Sequence, residues 1–179
     1  MSKARIRLKA LTCAAMFVAM NVIIGIFCKT FMNFGLGLFR VTFENLPIIL
    51  SGILLGPVVG GIVGAVGDII SYLLSSQVYP PNLIVTFGAM AVGVVSGIVS
   101  NYIVKRDGVK RIVITSLSAH LVGSVIIKSI GLYTFYGMLV LWRIPLYFVI
   151  ASLETLLICI LHKNPNFKKT VEAFKGLGR

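Results

Sequence analysis

Long apolar runs separated by short polar breaks constrain this chain more than any other feature of its sequence. Of its 179 residues, 58% are hydrophobic and 12% charged, and the mean hydropathy is +0.99. A soluble domain carries roughly 45–50% apolar and ~25% charged residues. This chain lacks the polar surface to cover itself in water, so lipid must be its solvent. Runs of this kind read as transmembrane helices, which satisfy their backbone hydrogen bonds within the segment. The expected fold class is all-α, an integral membrane bundle of six transmembrane helices forming a single membrane domain over 1–179. The spans are placed at about residues 10–28, 44–55, 58–74, 83–104, 112–130 and 138–161. Residues Lys3–Lys9 and the run that follows could pass for a secretory signal. The run exceeds an h-region of ~7–15 residues and further spans follow it, so it reads as a retained first helix. Span 2 is shorter than the ~20 residues that cross a ~30 Å core. It therefore needs shielding by protein, which places it and the long loop before it near a candidate cavity.

Orientation follows from the cations. Thirteen of the 17 Lys and Arg residues lie at the N-terminus (Lys3, Arg5, Arg7, Lys9), between spans 4 and 5 (Lys105, Arg106, Lys110, Arg111) and in the tail (Lys163, Lys168, Lys169, Lys175, Arg179). Six spans put these places on one side, and the positive-inside rule makes that side cytoplasmic, with both termini there. The net charge of +12 is thus topological. It is not the basic, aromatic-interleaved face of a nucleic-acid binder. Lys29, Arg40, Lys128 and Arg143 fall at the outer ends of spans or in outer loops, where topology does not require them. Either they snorkel to the interface, or several converge on an anionic ligand arriving from outside. Aromatics share this bias. Twelve of 18 lie in or around the outer loops, Phe43, Tyr79, Tyr133, Tyr136 and Trp142 among them. An interfacial belt would appear at both faces, so the asymmetry favours an outward-facing aromatic pocket.

Small residues form rows. Gly52, Gly56, Gly60 and Gly64 are four apart, as are Gly93 and Gly97, and such rows let helices approach closely in lipid. Ala10, Ala14, Ala15 and Ala19 give span 1 a smooth groove for another helix, internal or from a partner. No phosphate loop, HExxH, GxSxG or Cys/His cluster is present, so the chain supplies no catalytic constellation, metal site or nucleotide site of those kinds. Cys13, Cys28 and Cys159 lie in or beside apolar runs and read as buried thiols. Of five acids, Glu44, Asp68 and Glu154 lie in or at the spans, where carboxylates are costly and default to functional hypotheses. Glu44 can pair with Arg40 or accept two hydrogen bonds from an amino-heterocycle. Asp68 and Glu154 read as bracing groups.

The segment Arg40-Val-Thr-Phe-Glu-Asn-Leu-Pro-Ile-Ile-Leu-Ser-Gly-Ile-Leu-Leu-Gly-Pro57, continuing to Gly64-Ala-Val-Gly-Asp68, resembles the helix 2–3 signature of the substrate-binding S components of energy-coupling factor (ECF) vitamin transporters. Ser118-Ala-His-Leu-Val-Gly-Ser124, Lys128-Ser-Ile-Gly-Leu-Tyr133 and Leu141-Trp-Arg-Ile-Pro145 are most similar to the folate-specific group. The resemblance covers nearly the whole chain. It implies a non-enzymatic, cofactor-free protein of the prokaryotic plasma membrane that binds its vitamin from outside. It also implies partners: a transmembrane coupling subunit, met through the alanine rows of helix 1, and two ATPases. Folate suits the residues. Its flat pterin can stack on Tyr79, Tyr133, Tyr136 or Trp142, beside Phe43. The amino-pyrimidine edge suits Glu44, Asn45 or Asn82. The two tail carboxylates suit Lys128, Arg143 and Arg40. His120 reads as facing the interior. Competing readings are an S component for pantothenate or riboflavin, and a self-sufficient proton-coupled secondary carrier.

Overall fold

Among the described residues, Gly56, Gly108 and Gly137 adopt positive φ and set the sharp corners of the chain. The computed structural model describes residues 3–34, 39–75, 82–104, 108–165 and 169, with the backbone alone at 3–6, 33, 34, 39 and 40. Helix α1 covers Lys3–Phe31. It extends beyond the expected 10–28 because Lys3–Lys9 holds only good helix formers, with no Gly or Pro to stop it. A minimal antiparallel ribbon follows, β1 (Asn33–Phe34) against β2 (Phe39–Arg40), within what was expected to be plain loop. Helix α2 (Asn45–Leu55) and helix α3 (Pro57–Leu74) meet at Gly56, whose φ of 91° only glycine adopts without strain. Pro57 then occupies the first turn of α3, where its missing N–H costs nothing.

Helix α4 (Leu83–Ile98) starts at Asn82, whose side chain accepts the Ile84 N–H, and ends in a wide π turn over Val99–Ile103. Helix α5 (Val109–Ala119) runs straight into a nine-residue π segment, His120–Lys128, and then into helix α6 (Ser129–Tyr136). The expected loop at 131–137 is therefore mostly helix. Gly131 does not break it, because it packs closely on Ile84 and Val85 of α4. The corner falls instead at Gly137, with φ 55°. A 3-10 stretch, Gly137–Trp142, leads into helix α7 (Arg143–Lys163). The chain folds back there, and Thr155 of α7 donates to Ser116 of α5 at 2.8 Å.

Among the described residues, four stretches are long and apolar enough to cross a membrane: Arg7–Phe31, Pro57–Leu74, Leu83–Ile103 and Val109–Lys163. Helix α2 is shorter, and every one of its residues is buried. It sits inside the bundle against α1, α3, α4 and α7. Ile48, Ile49, Leu50 and Leu54 of α2 make the centre of the core with Val63 of α3, Val92 of α4 and Ile158 of α7. Large apolar side chains such as Leu8, Ile23, Val58, Leu73 and Ile160 face outward, as lipid solvent requires.

The glycine rows explain how α2, α3 and α4 come so close. A Cβ on Gly60 would lie 2.7 Å from both Gly52 Cα and the Gly93 carbonyl oxygen. Gly97 likewise faces the backbone of Pro57, and Gly64 the carbonyl of Ala89. All these neighbours are backbone and cannot move aside. Gly60→Ala should therefore destabilise the detergent-solubilised protein by about 1–3 kcal/mol, the usual cost of overpacking. Val58→Ala, at a position 72% exposed, should stay within about 0.5 kcal/mol of the native protein. Thermal melting of the two variants compares them directly.

Candidate functional site

Polar side chains inside an apolar bundle are costly unless they satisfy one another. Here they collect where α1 ends and α2 begins. Glu44, the residue before α2, is buried and lies 3.8 Å (Oε1) from Lys128 Nζ on the π segment. Lys128 Nζ also donates to Asn45 Oδ1 at 2.9 Å, and Asn45 Nδ2 donates to Ser124 Oγ at 3.4 Å. Asn21 of α1 donates to the Glu44 carbonyl. Lys29 Nζ donates to Ser71 Oγ at 2.8 Å, tying α1 to α3 beside the same acid.

Three glycines outside the packing rows make room for these groups. A Cβ on Gly88 would meet Lys128 Cγ at 2.5 Å, and one on Gly25 would meet Ser71 Oγ at 2.5 Å and Glu44 Oε2 at 3.4 Å. Gly67 gives Asn21 its space in the same way. Each is a slot for a polar side chain that α1, α3 or α4 would otherwise fill.

Deeper in the bundle, Glu154 of α7 is fully buried. Its Oε1 accepts the backbone N–H of Leu46 at 3.1 Å, and its Oε2 lies 2.7 Å from His120 Nε2. Arg143, at the first position of α7, is also buried, with its guanidinium 5.6 Å from the centre of the Tyr147 ring. That is cation–π distance.

The structure thus brings together Glu44, Asn45 and Lys128 among the residues picked from sequence, with His120 one layer deeper against Glu154; Arg143 is buried at the start of α7 against Tyr147. Phe43 is half-buried beside Glu44. Asn82 is spent on structure: it caps α4 and donates to the Gly131 carbonyl at 2.6 Å. Trp142 is 69% exposed and Tyr133 56%. Tyr136 is half-buried at the end of α6. Arg40 pairs with Asn33 through the backbone ribbon, while its side chain, and Tyr79 altogether, lie outside the described residues. The alanine rows divide. Ala10 and Ala14 pack against the core, whereas Ala15 and Ala19 are exposed.

Sequence reading missed Asn21, Ser71, Ser124 and Tyr147. Asn21 was detectable as a lone amide in an apolar run. Gly25, Gly67 and Gly88 gave no signal, because their partners are distant in sequence. No group of three or more His, Cys, Asp or Glu that could hold a metal occurs among the described residues.

The arrangement suits binding rather than bond breaking. It offers a carboxylate, a carboxamide and two cations in a low-dielectric setting, where charge-assisted hydrogen bonds are strong. Comparison with known proteins agrees with that reading. The family described as ECF transporter, substrate-specific component, matches residues 9–171. No curated protein matches the chain. A solved structure described as FolT bound with folic acid is similar over 89% of this chain and 97% of that one, at 21% identity and a TM-score of 0.67.

Proposed function

The chain belongs to the substrate-specific components of ECF transporters, and from that membership we propose that it captures folate at the outer side of the membrane. Captured vitamin is handed to an energising module of one transmembrane coupling subunit and two ATPases. The observation that carries the folate reading is the buried set Glu44, Asn45, Lys128 and Arg143, in a fold shared with FolT. Pterin presents adjacent N–H donors that a buried carboxylate and carboxamide accept, and the glutamate tail presents carboxylates that a guanidinium grips in pairs. Tyr147 beneath Arg143 supplies a flat apolar face, which also holds the guanidinium in place.

In this reading the chain is one membrane domain of six passes with both termini cytoplasmic. The stretch Val109–Lys163 has 55 residues. At 1.5 Å per residue it would span about 80 Å, far more than a ~30 Å core, so it serves as two passes that turn at Gly137. The ligand cluster then lies at the outer end, with Lys110, Arg111 and Lys163 at the inner end. Calorimetric titration of the detergent-solubilised chain tests the substrate. Folate should bind saturably at one site per chain, while riboflavin and pantothenate should not compete. Saturable binding of either of those instead would reassign the vitamin. Uptake by the chain alone in proteoliposomes, driven by a proton gradient, would overturn the need for an ATPase module.

A further inference from the structure

The Glu154–His120 pair lies one layer below the cluster just described, and the ligand reading gives it no task. Its geometry is unusual in one respect. A helix leaves its first N–H groups without partners inside the helix, and α2 begins at Asn45 with no side-chain cap from Glu44. The N–H of Leu46, the second residue of α2, is shared between the Phe43 carbonyl at 3.3 Å and, at the shorter 3.1 Å, Glu154 Oε1 of α7. The other oxygen of the same carboxylate stands in close polar contact with His120 Nε2, 2.7 Å away, at the start of the π segment. Eight residues on, the same π segment presents Lys128 to Asn45 and Glu44. One carboxylate therefore ties together the two elements that carry the vitamin-facing groups. Wide π turns inside helices are frequent at functional sites.

We propose that Glu154 and His120 are positioning residues for the vitamin site: the carboxylate clamps the start of α2 to the π segment, so that Glu44, Asn45 and Lys128 are held in register before ligand arrives. The idea rests on the folate reading for its ligand but not for its mechanics. Pre-organisation of this kind raises affinity by removing the ordering that binding would otherwise require. The charged groups that act on the pair are Glu44 and Lys128. The hydroxyls of Thr155 and Ser116 lie on the flanking helices.

Two measurements on Glu154→Leu and Glu154→Gln test the clamp. The first is amide hydrogen exchange of the ligand-free protein over residues 44–48. Leu cannot accept from Leu46 N–H, so exchange there should speed up at least tenfold while the centre of α2 stays protected. Gln keeps an acceptor oxygen and should remain near the native rate. The second is calorimetric titration with folate, reading Kd and stoichiometry separately. Glu154→Leu should raise Kd tenfold or more at unchanged stoichiometry, and Glu154→Gln should restore it to within about threefold. Lowered stoichiometry at native Kd would mean a purely structural role and would overturn the proposal. So would unchanged exchange at Leu46, or a Gln variant as impaired as Leu. If Glu154→Leu is not recovered folded, His120→Leu replaces it and must move both readouts in the same direction. Should the native chain bind riboflavin or pantothenate in place of folate, the substrate reading falls, and the same comparison with that vitamin still decides the clamp.

Discussion

Replacing Lys128 by Met is expected to be among the most damaging single changes in the chain, and to weaken pterin and folate binding alike. Lys128 Nζ donates to Asn45 at 2.9 Å and stands 3.8 Å from Glu44, with all three side chains buried. Removing one partner of a buried ion pair leaves the other charge poorly compensated, at a cost of about 3–5 kcal/mol. The sequence suggests that Lys128 and Arg143 share the anionic tail of the ligand. The structure engages the Lys128 ammonium with Glu44 and Asn45, which the proposed reading gives to the pterin, so that reading leaves the tail to Arg143. Lys128→Met should therefore lower affinity for folate and for a pterin fragment without glutamate by similar factors. Arg143→Met should cost folate roughly 10- to 150-fold, from about 1.5–3 kcal/mol for a charge-assisted hydrogen bond, and leave the fragment nearly unaffected. A double variant separates stability from recognition. Lys128→Met with Glu44→Gln removes both charges, so much of the lost stability should return while ligand affinity should not. Recovery of affinity in the double variant would take Glu44 and Lys128 out of the binding site. Melting temperature and calorimetric titration, run on the same four proteins, read the two effects.

How much of this was legible beforehand depended on how far apart in sequence the cooperating residues lie. Helix α2 announced itself as too short to span and in need of cover, and it is buried at every position. Glycines four apart pointed to close helix packing, because the spacing itself carries the geometry. The acid and cations near the outer ends were conspicuous because charge is rare in an apolar chain. Trp142 and Tyr133 show where that reasoning stops. Aromatic residues near a site and aromatic residues facing lipid look the same in sequence, and only the rotation of α6 and of the 3-10 turn tells them apart. Here both are exposed. Gly88 was invisible for the complementary reason. Its value lies in the Lys128 side chain 40 positions later, which no local pattern encodes. The extension of helix through 131–136 escaped because Gly131 looks like a breaker until its neighbour on α4 is known. The Glu154 carboxylate was noticed as an expensive group, but its partner, a backbone N–H at position 46, leaves no mark on the sequence.

Substituting Trp at Ala15 or Ala19 should abolish folate uptake by the complete transporter while leaving vitamin binding by the chain intact. Helix α1 shows two different alanine faces. Ala10 and Ala14 pack against the core with Cys13 and Val18, whereas Ala15 and Ala19 are exposed on the bundle exterior, flanked by Leu11, Met16 and Ile23. In lipid, small residues permit a neighbouring helix to come close, and van der Waals packing then drives association. An indole at Ala15 or Ala19 meets only lipid in the isolated chain and costs little there. At a docked interface it would hold the partner helix several ångström away and forfeit those contacts. The polar cluster proposed to bind the vitamin lies near Lys29 and Glu44, towards the other end of α1. Asn21, the cluster's nearest residue on α1, is two positions from Ala19 but buried about 200° round the helix from it, so an indole on the exposed side should not reach the cluster. Tryptophan at Ala10 or Ala14 makes the contrasting pair: it drives a large ring into the core, and overpacking of that kind should lower the melting temperature, and with it recoverable protein and binding. Four variants measured for melting temperature, folate affinity and ATP-driven uptake in proteoliposomes with the coupling subunit and ATPases give a clear pattern. Uptake should fail in all four, and binding should survive only at Ala15 and Ala19. Normal uptake in Ala15→Trp and Ala19→Trp would move the docking face off this side of α1.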